Sequence, residues 1–184
     1  MGLDITYRSK IRKAAESEGL LPVDPEYPNE PPETDYDNGY FRIYPNDFVA
    51  GQSDGLEGVY RDEGESAHFR AGSYSGYNQW RERLAELAGY EPSPHPGILH
   101  AGEPSSAATV WADPKPGPFV ELINFSDCEG VIGPVTSAKL AQDFAAFQEQ
   151  ADAVEDWEGW FREQYAKWRT AFETAAQGGC VEFH

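Results

Sequence analysis

The strongest constraint on the fold is a stripe of large aromatic side chains near the end of the chain. Between residues 155 and 176 the rings recur every three or four positions, at Trp157, Phe161, Tyr165, Trp168 and Phe172. This spacing is typical of one face of an α-helix. We therefore predict that this helix packs its aromatic face into the core.

Other segments carry shorter patterns. The apolar alternation or continuous apolar run of a β-strand occurs at residues 3–7, 40–44, 66–72, 119–125 and 180–183. Apolar residues at helical spacing, or glycines that end a helix, predict helices at residues 9–18, 75–88, 137–153 and 155–176. Because strands and helices do not alternate as β-α units, we predict an α+β fold, with a small mixed or antiparallel sheet covered by about three helices.

Two long proline-rich stretches, residues 21–39 and 90–118, show no regular periodicity. Both are predicted to be irregular surface loops. The whole chain, residues 1–184, is long enough to bury a core of its own and is expected to form a single domain.

The chain is strongly acidic, with 32 Asp and Glu against 14 Lys and Arg and a formal net charge of -18. This charge repels phosphate and argues against direct binding of nucleic acid. Three explanations of the acidity remain open, which are surface solubility, attraction of a basic protein partner, and mimicry of DNA.

The sequence also bears on the compartment. No apolar run approaches the roughly 20 residues needed to span a bilayer, and the first residues lack the apolar core of a secretory signal. We expect a soluble cytoplasmic protein with no membrane partner. In that reducing compartment Cys128 and Cys180 are expected to be free thiols.

The clearest functional lead is a locally basic stretch, residues 67–84, with three arginines, one histidine and one acid. Gly72 and Gly76 flank hydroxyl side chains where a helix is predicted to begin, and a helix N-terminus favours anions. We predict that this stretch grips phosphate and stacks a base. Its predicted ligand-binding residues are Arg70, Ser73, Tyr74, Ser75, Tyr77, Asn78, Trp80 and Arg81. The competing interpretation is structural: a serine cap, core tyrosine and tryptophan, and arginines paired with surface acids.

A second candidate stretch, NFSDCEG at residues 124–130, follows the predicted strand at 119–125. Asn124, Asp127 and Glu129 are predicted to bind the polar edges of a ligand or its ribose hydroxyls. Alternatively, Asp127 and Glu129 bind Mg²⁺ or act as acid and base, or the segment is only a turn. The spacing of the histidines does not predict a metal site, and no cofactor is assigned.

Several segments resemble a group of phage and prophage proteins for which no activity is established. They are MGLDIT, FRAGSYSGYNQWRERLAELAG, PFVELINFSDCEGVIGP, AKLAQDF and the GG and V-x-F-H tail. The resemblance covers most of the chain outside the proline-rich loops. It implies a phage accessory protein in the cytoplasm of an infected or lysogenic bacterium. Such proteins often counter host defence, and by analogy with several unrelated phage families this one would do so by sequestering a nucleotide signal.

Our leading hypothesis is a binding protein, rather than an enzyme, that sequesters a small phosphorylated ligand such as a nucleotide immune signal. One alternative is a metal-dependent nucleotide hydrolase or transferase that uses Asp127 and Glu129. Another is an acidic inhibitor or DNA mimic that contacts a basic host protein through residues 24–37 and 54–65. A homo-oligomer is compatible with each of them.

Overall fold

The structure of the chain is a computed structural model, which describes residues 2–97, 101–126, 129–155 and 159–184. Its strands are β1 (Leu3–Arg8), β2 (Ile11–Lys13), β3 (Tyr40–Ile43), β4 (Gly58–Asp62), β5 (Ser66–Gly72), β6 (Ser93–Pro94), β7 (Pro104–Ser105), β8 (Gly130–Ile132) and β9 (Cys180–Phe183). Its helices are α1 (Tyr74–Leu87), α2 (Ser106–Ala112), α3 (Val120–Ile123), α4 (Pro134–Ala146), α5 (Gln148–Asp152) and α6 (Trp160–Ala175). The predicted α+β class is confirmed.

The strands form antiparallel sheets. The main sheet has the order β5-β1-β9-β8, a smaller one has the order β2-β4-β3, and β6 and β7 form a two-stranded ribbon. Helices α1, α4 and α6 pack on the main sheet and on one another. The last strand in chain order, β9, therefore lies inside the main sheet, with β1 on one side and β8 on the other.

The two larger sheets are continuous with each other. Where the chain bends between β1 and β2, the Ser9 N–H donates to the Glu65 carbonyl at 2.8 Å, and the Glu63 N–H donates to the Lys10 carbonyl at 3.0 Å. These backbone hydrogen bonds connect the β1–β5 pair of the main sheet with the β2–β4 pair of the smaller sheet. The small sheet folds over the end of the main one, because Phe41 of β3 shares a buried cluster with Val131 of β8.

The aromatic stripe lies in the core, as predicted. On α6, the buried Trp168 ring stacks 6.5 Å from Trp80 and 5.9 Å from Phe172, measured between ring centroids. The Phe183 ring of β9 lies 5.7 Å from the same indole. Trp157, which was predicted to continue the stripe, lies outside the described residues. The stripe thus joins α6 to α1 and to the main sheet.

The predicted strand at residues 119–125 is wrong, because this segment forms the short helix α3. Phe119 begins it with a left-handed φ of 59°, and Val120, Leu122 and Ile123 are all buried. The charge of its one polar residue, Glu121, is paired with Lys139, so the segment is an almost continuous apolar run, as a buried strand is. Periodicity therefore could not separate the two structures.

Three other boundaries also differ from the prediction. The helix expected at residues 9–18 is replaced by β2 and a turn. The loop expected at 90–118 contains the β6–β7 ribbon and α2. The helix expected at 137–153 is divided at Phe147 into α4 and α5. Of the irregular loop expected at 21–39, residues 21–33 have no helix or strand, whereas Tyr36–Asn38 form one turn of 3-10 helix. No helix of the described chain is long and apolar enough to cross a bilayer.

Cys180 should be chemically inert in the folded chain. It begins β9 in the buried cluster below the small sheet, and this burial raises the pKa of its thiol from 9.0 to about 12. In a Cys128→Ser background we expect alkylation at pH about 9 only when urea unfolds the chain, because the thiolate is the reactive form. The folded thiol stays protonated while the unfolded thiol ionises, so its contribution to stability declines from about pH 9 to about pH 12. Equal labelling rates with and without urea would contradict this burial.

Candidate functional site

The predicted phosphate grip at the start of α1 is not assembled. Ser73 caps the helix, with its Oγ accepting from the Gly76 N–H at 3.1 Å, and Ser75 Oγ lies 3.0 Å from Ser73 Oγ. Arg70 instead pairs with Asp4 across the main sheet at 3.1 Å, with both side chains more than half exposed. The structural interpretation of the serine cap and of Arg70 is therefore correct.

The aromatic residues predicted to stack a base lie in two different environments. Tyr77 and Trp80 are fully buried, and the Tyr77 hydroxyl donates to the Phe125 carbonyl at 3.1 Å. Their predicted stacking role is wrong, because no ligand ring can reach their faces. Tyr74 is 37 % exposed at the start of the helix.

Arg81 is the basic residue of this stretch that enters the protein, with 6 % of its surface exposed. Its Nη1 donates to the carbonyls of Ile123 at 3.1 Å and Phe125 at 2.7 Å, and its Nη2 donates to Asn78 Oδ1. The guanidinium carbon also lies 5.0 Å from the centre of the Trp111 ring. Arg81 therefore joins α1 to the end of α3 and to α2.

The second predicted stretch is divided between different places. The Asn124 side chain donates to the Phe48 carbonyl at 3.0 Å, which is a structural contact. Glu129 lines a separate groove beside β3 and β8. Asp127 lies outside the described residues, so the predicted pairing of Asp127 with Glu129 stays a prediction.

A cleft of about 680 Å³ opens beside Arg81. It lies between α1, the β6–β7 ribbon and α2, and its volume is in the range usual for small-molecule sites. The lining residues come from three places in the sequence: Ser75, Asn78, Gln79, Arg81 and Glu82; His95, Glu103, Pro104 and Ser105; and Trp111 with Ser126. Three of the residues predicted to bind a ligand, Ser75, Asn78 and Arg81, are therefore brought to one cleft.

Glu82 builds the far wall of this cleft. Its carboxylate accepts from the Ser105 hydroxyl and the Ser106 N–H, both at 2.6 Å, and from the Ala107 N–H at 3.2 Å. These donors are at the start of α2, where the backbone N–H groups have no partner within the helix. The carboxylate on α1 thus ties α2 and the end of the ribbon to α1.

Trp111 and His95 form the aromatic side of the cleft. The Trp111 Nε1–H donates to the Ile123 carbonyl at 2.9 Å, which fixes the indole. The His95 ring meets it edge-on with centroids 5.4 Å apart. His95 Nδ1 accepts from the Gly97 N–H at 2.9 Å, so a neutral His95 carries its proton on Nε2.

Sequence reasoning missed Trp111, His95 and Glu103 as members of this site, because all three fall in the stretch predicted to be a loop. One local signal was present, since the SSAATVWA segment has a serine cap followed by helix-forming residues. Within the described ranges, no group of three His, Cys, Asp or Glu side chains is placed to share a metal ion.

Comparisons of the chain with protein-family models, with curated proteins and with solved structures found no match. The resemblance to phage and prophage proteins therefore stays a prediction. The chemistry of the cleft has to be interpreted from its own side chains.

Proposed function

We propose that the protein binds a small, ring-containing molecule with an anionic group, such as a nucleotide, in the cleft beside Arg81. The observation that carries the proposal is the Arg81 guanidinium lying 5.0 Å from the Trp111 ring centre at the wall of an open cleft. A cation and a fixed aromatic wall in one cleft suit a ligand that has both a charge and a ring.

Different side chains around the cleft would contact different parts of the ligand. Trp111 and His95 offer ring surface, and Asn78 and Gln79 offer amide groups for the polar edge of a base. Arg81 supplies the positive charge. Because Arg81 is little exposed to water, its attraction for an anionic group is stronger than that of a surface arginine. Because the indole of Trp111 is already held by a hydrogen bond, little ordering is needed when a ligand binds.

The side chains of the cleft favour binding without catalysis. Glu82 lines the cleft, but its carboxylate already holds three donors of α2 and cannot act as a base without losing that cap. The hydrolase alternative depends on Asp127 and stays a prediction, as does the acidic-inhibitor alternative. Sequestration of a nucleotide signal is the role that the phage-protein resemblance also favours.

Substitutions that change only the charge at Gln79 test whether the ligand is anionic. It lines the cleft and is exposed, so substitution should not disturb the core. We expect Gln79→Glu to weaken binding of a nucleotide about threefold to tenfold and Gln79→Lys to strengthen it by a similar factor, from one unit charge near the ligand. Titration calorimetry against nucleoside phosphates, cyclic dinucleotides and NAD measures both.

Gln142→Glu is the matched control, because it makes the same change of charge at an exposed site on α4 away from the cleft. If Gln142→Glu weakens nucleotide binding as much as Gln79→Glu does, the effect comes from the net charge of the protein and not from a charge in the cleft. A flat response to every compound would refute the proposal. Recovery of each bound ligand by chromatography after denaturation separates binding, which returns it intact, from catalysis.

A further inference from the structure

A second groove, of about 290 Å³, lies between the outermost strands of the two larger sheets. Among the described residues, β3 pairs only with β4, and β8 pairs only with β9. Phe41, Arg42 and Ile43 of β3 line one side of the groove, and Gly130 and Val131 of β8 line the other. Two sheet edges therefore face the same groove.

The edge of β3 presents a backbone donor and a backbone acceptor. The Asp62 N–H donates to the Gly39 carbonyl at 2.9 Å, so the residues of this ladder that bond to β4 are Gly39, Phe41 and Ile43. The backbone groups of Tyr40 and Arg42 point away from β4. The Asp35 carbonyl accepts from the Tyr40 N–H at 3.1 Å, which leaves Arg42 as the pairing position on this edge.

The Arg42 side chain is also available. It is partly buried, and across residues 2–97, 101–126, 129–155 and 159–184 no hydrogen bond or ion pair engages its guanidinium. Arg8, which lines the same groove, is by contrast paired with Asp62 and Glu182. An unpaired and partly dehydrated guanidinium can gain a strong hydrogen-bonded partner if a carboxylate is brought to it.

Two tyrosines stand beside Arg42. Tyr36 is 68 % exposed and Tyr44 is 67 % exposed, and both line the groove. With Arg42 they also line an adjoining hollow of about 390 Å³, whose other wall includes Pro31 and Pro32. Exposed aromatic side chains next to a free strand edge are suited to hold the apolar side chains of an added strand.

We propose that this groove is a docking site for an extended peptide segment of a partner protein that carries an acidic side chain. The segment pairs with the edge of β3 through the N–H and carbonyl of Arg42. In such a pair the residue opposite Arg42 projects to the same face of the sheet, so a carboxylate there meets the guanidinium. The segment residues two positions from the carboxylate project to this same face, and apolar side chains there contact Tyr36 and Tyr44. This site is independent of the small-ligand cleft.

The net charge of the chain allows peptide binding at Arg42 to be distinguished from long-range attraction between opposite charges. A net charge of -18 repels an acidic peptide at long range, whereas Arg42 attracts its carboxylate on contact. Added salt screens the long-range term more than the contact. Association with an acidic peptide should therefore become faster as salt is raised from low ionic strength.

The probe is a capped peptide, acetyl-Val-Thr-Glu-Thr-Val-amide, titrated into the isotope-labelled full chain. We expect NMR shifts confined to Tyr36 and to residues 40–44 and 129–131, and slower hydrogen exchange of the Arg42 amide. Arg42→Gln should weaken binding at least about fivefold, whereas Arg162→Gln, which removes an exposed α6 cation, should leave it unchanged. A peptide N-methylated at its glutamate should bind much more weakly, because it lacks a backbone donor.

Four results would overturn the proposal: no shifts at millimolar peptide, equal binding of the N-methylated peptide, equal weakening by Arg162→Gln, or the same shifts with acetate alone. The last would indicate a site for small anions. The Gln79 variants of the cleft should bind the peptide as the unaltered chain does, so failure at either site can be told from failure at the other.

Discussion

Replacement of Arg81 with alanine should lower the free energy of unfolding by about 3 kcal/mol and abolish ligand binding in the cleft. The carbonyls of Ile123 and Phe125 each lose a charged donor, and both are in the interior. Each carbonyl keeps one neutral donor, the Trp111 Nε1–H at Ile123 and the Tyr77 hydroxyl at Phe125, but a hydrogen bond from a charged group contributes about 1.5–3 kcal/mol. Urea denaturation gives the stability change, and calorimetry at a temperature where the variant is folded gives the binding change.

Two neighbouring variants serve as controls. Arg81→Lys keeps the charge but has no second nitrogen to donate to Asn78 and no planar group beside Trp111, so we expect an intermediate loss of stability. Arg83→Ala, two residues along α1, removes an exposed pair with Glu86 and should cost less than about 1 kcal/mol. Equal stability of the Arg81→Ala and Arg83→Ala variants would show that the Arg81 contacts do not hold α1 to the end of α3.

Gly179→Ala is expected to prevent folding, with a cost above about 4 kcal/mol. A Cβ at this position would lie 1.7 Å from the Arg8 carbonyl oxygen and 2.5 Å from its carbon. Backbone atoms of β1 cannot rotate aside as a side chain can, so β1 and β9 would have to separate. Circular dichroism and the soluble yield of the variant measure the loss.

Gly76→Ala is the matched control for this prediction. Its Cβ would meet only the Ser73 hydroxyl at 3.3 Å, and alanine in the first turn of α1 favours the helix by up to about 1 kcal/mol. The Ser73 hydroxyl must move by a few tenths of an ångström, so the control should lie within about 1 kcal/mol of the unaltered chain in stability. A Gly179→Ala variant that melts at the same temperature as the Gly76→Ala variant would contradict the close approach of β9 to β1.

Local patterns were sufficient where an element has one buried face. The helical spacing of Tyr77, Trp80 and Leu84, with Gly89 as a stop signal, located α1 within a residue or two. The alternation in β1 was equally clear. Such patterns fail for α3, in which three of the four residues are buried and apolar, and for β2, which continues β1 after a bend and has no buried face of its own.

The candidate site was predicted only in part, because its geometry depends on distant residues. The excess of arginine at residues 67–84 indicated α1, which lines the cleft, but Arg70 and Arg83 form ion pairs with Asp4 and Glu86 outside it. Nothing near Arg81 in the sequence shows that carbonyls more than forty residues later accept its hydrogen bonds. The same holds for Trp111, which the capping of α2 by Glu82 brings to α1.

The position of β9 also has a consequence for how the chain acquires its structure during synthesis. β1 precedes the other described strands in the chain, yet one of its two partners, Cys180–Phe183, follows every other described element. Until that segment leaves the ribosome, β1 and β8 each lack the neighbour that lies between them, and the nascent chain carries exposed strand edges. Contacts between such distant segments slow folding, so the newly made protein should depend on chaperones for longer than its size suggests.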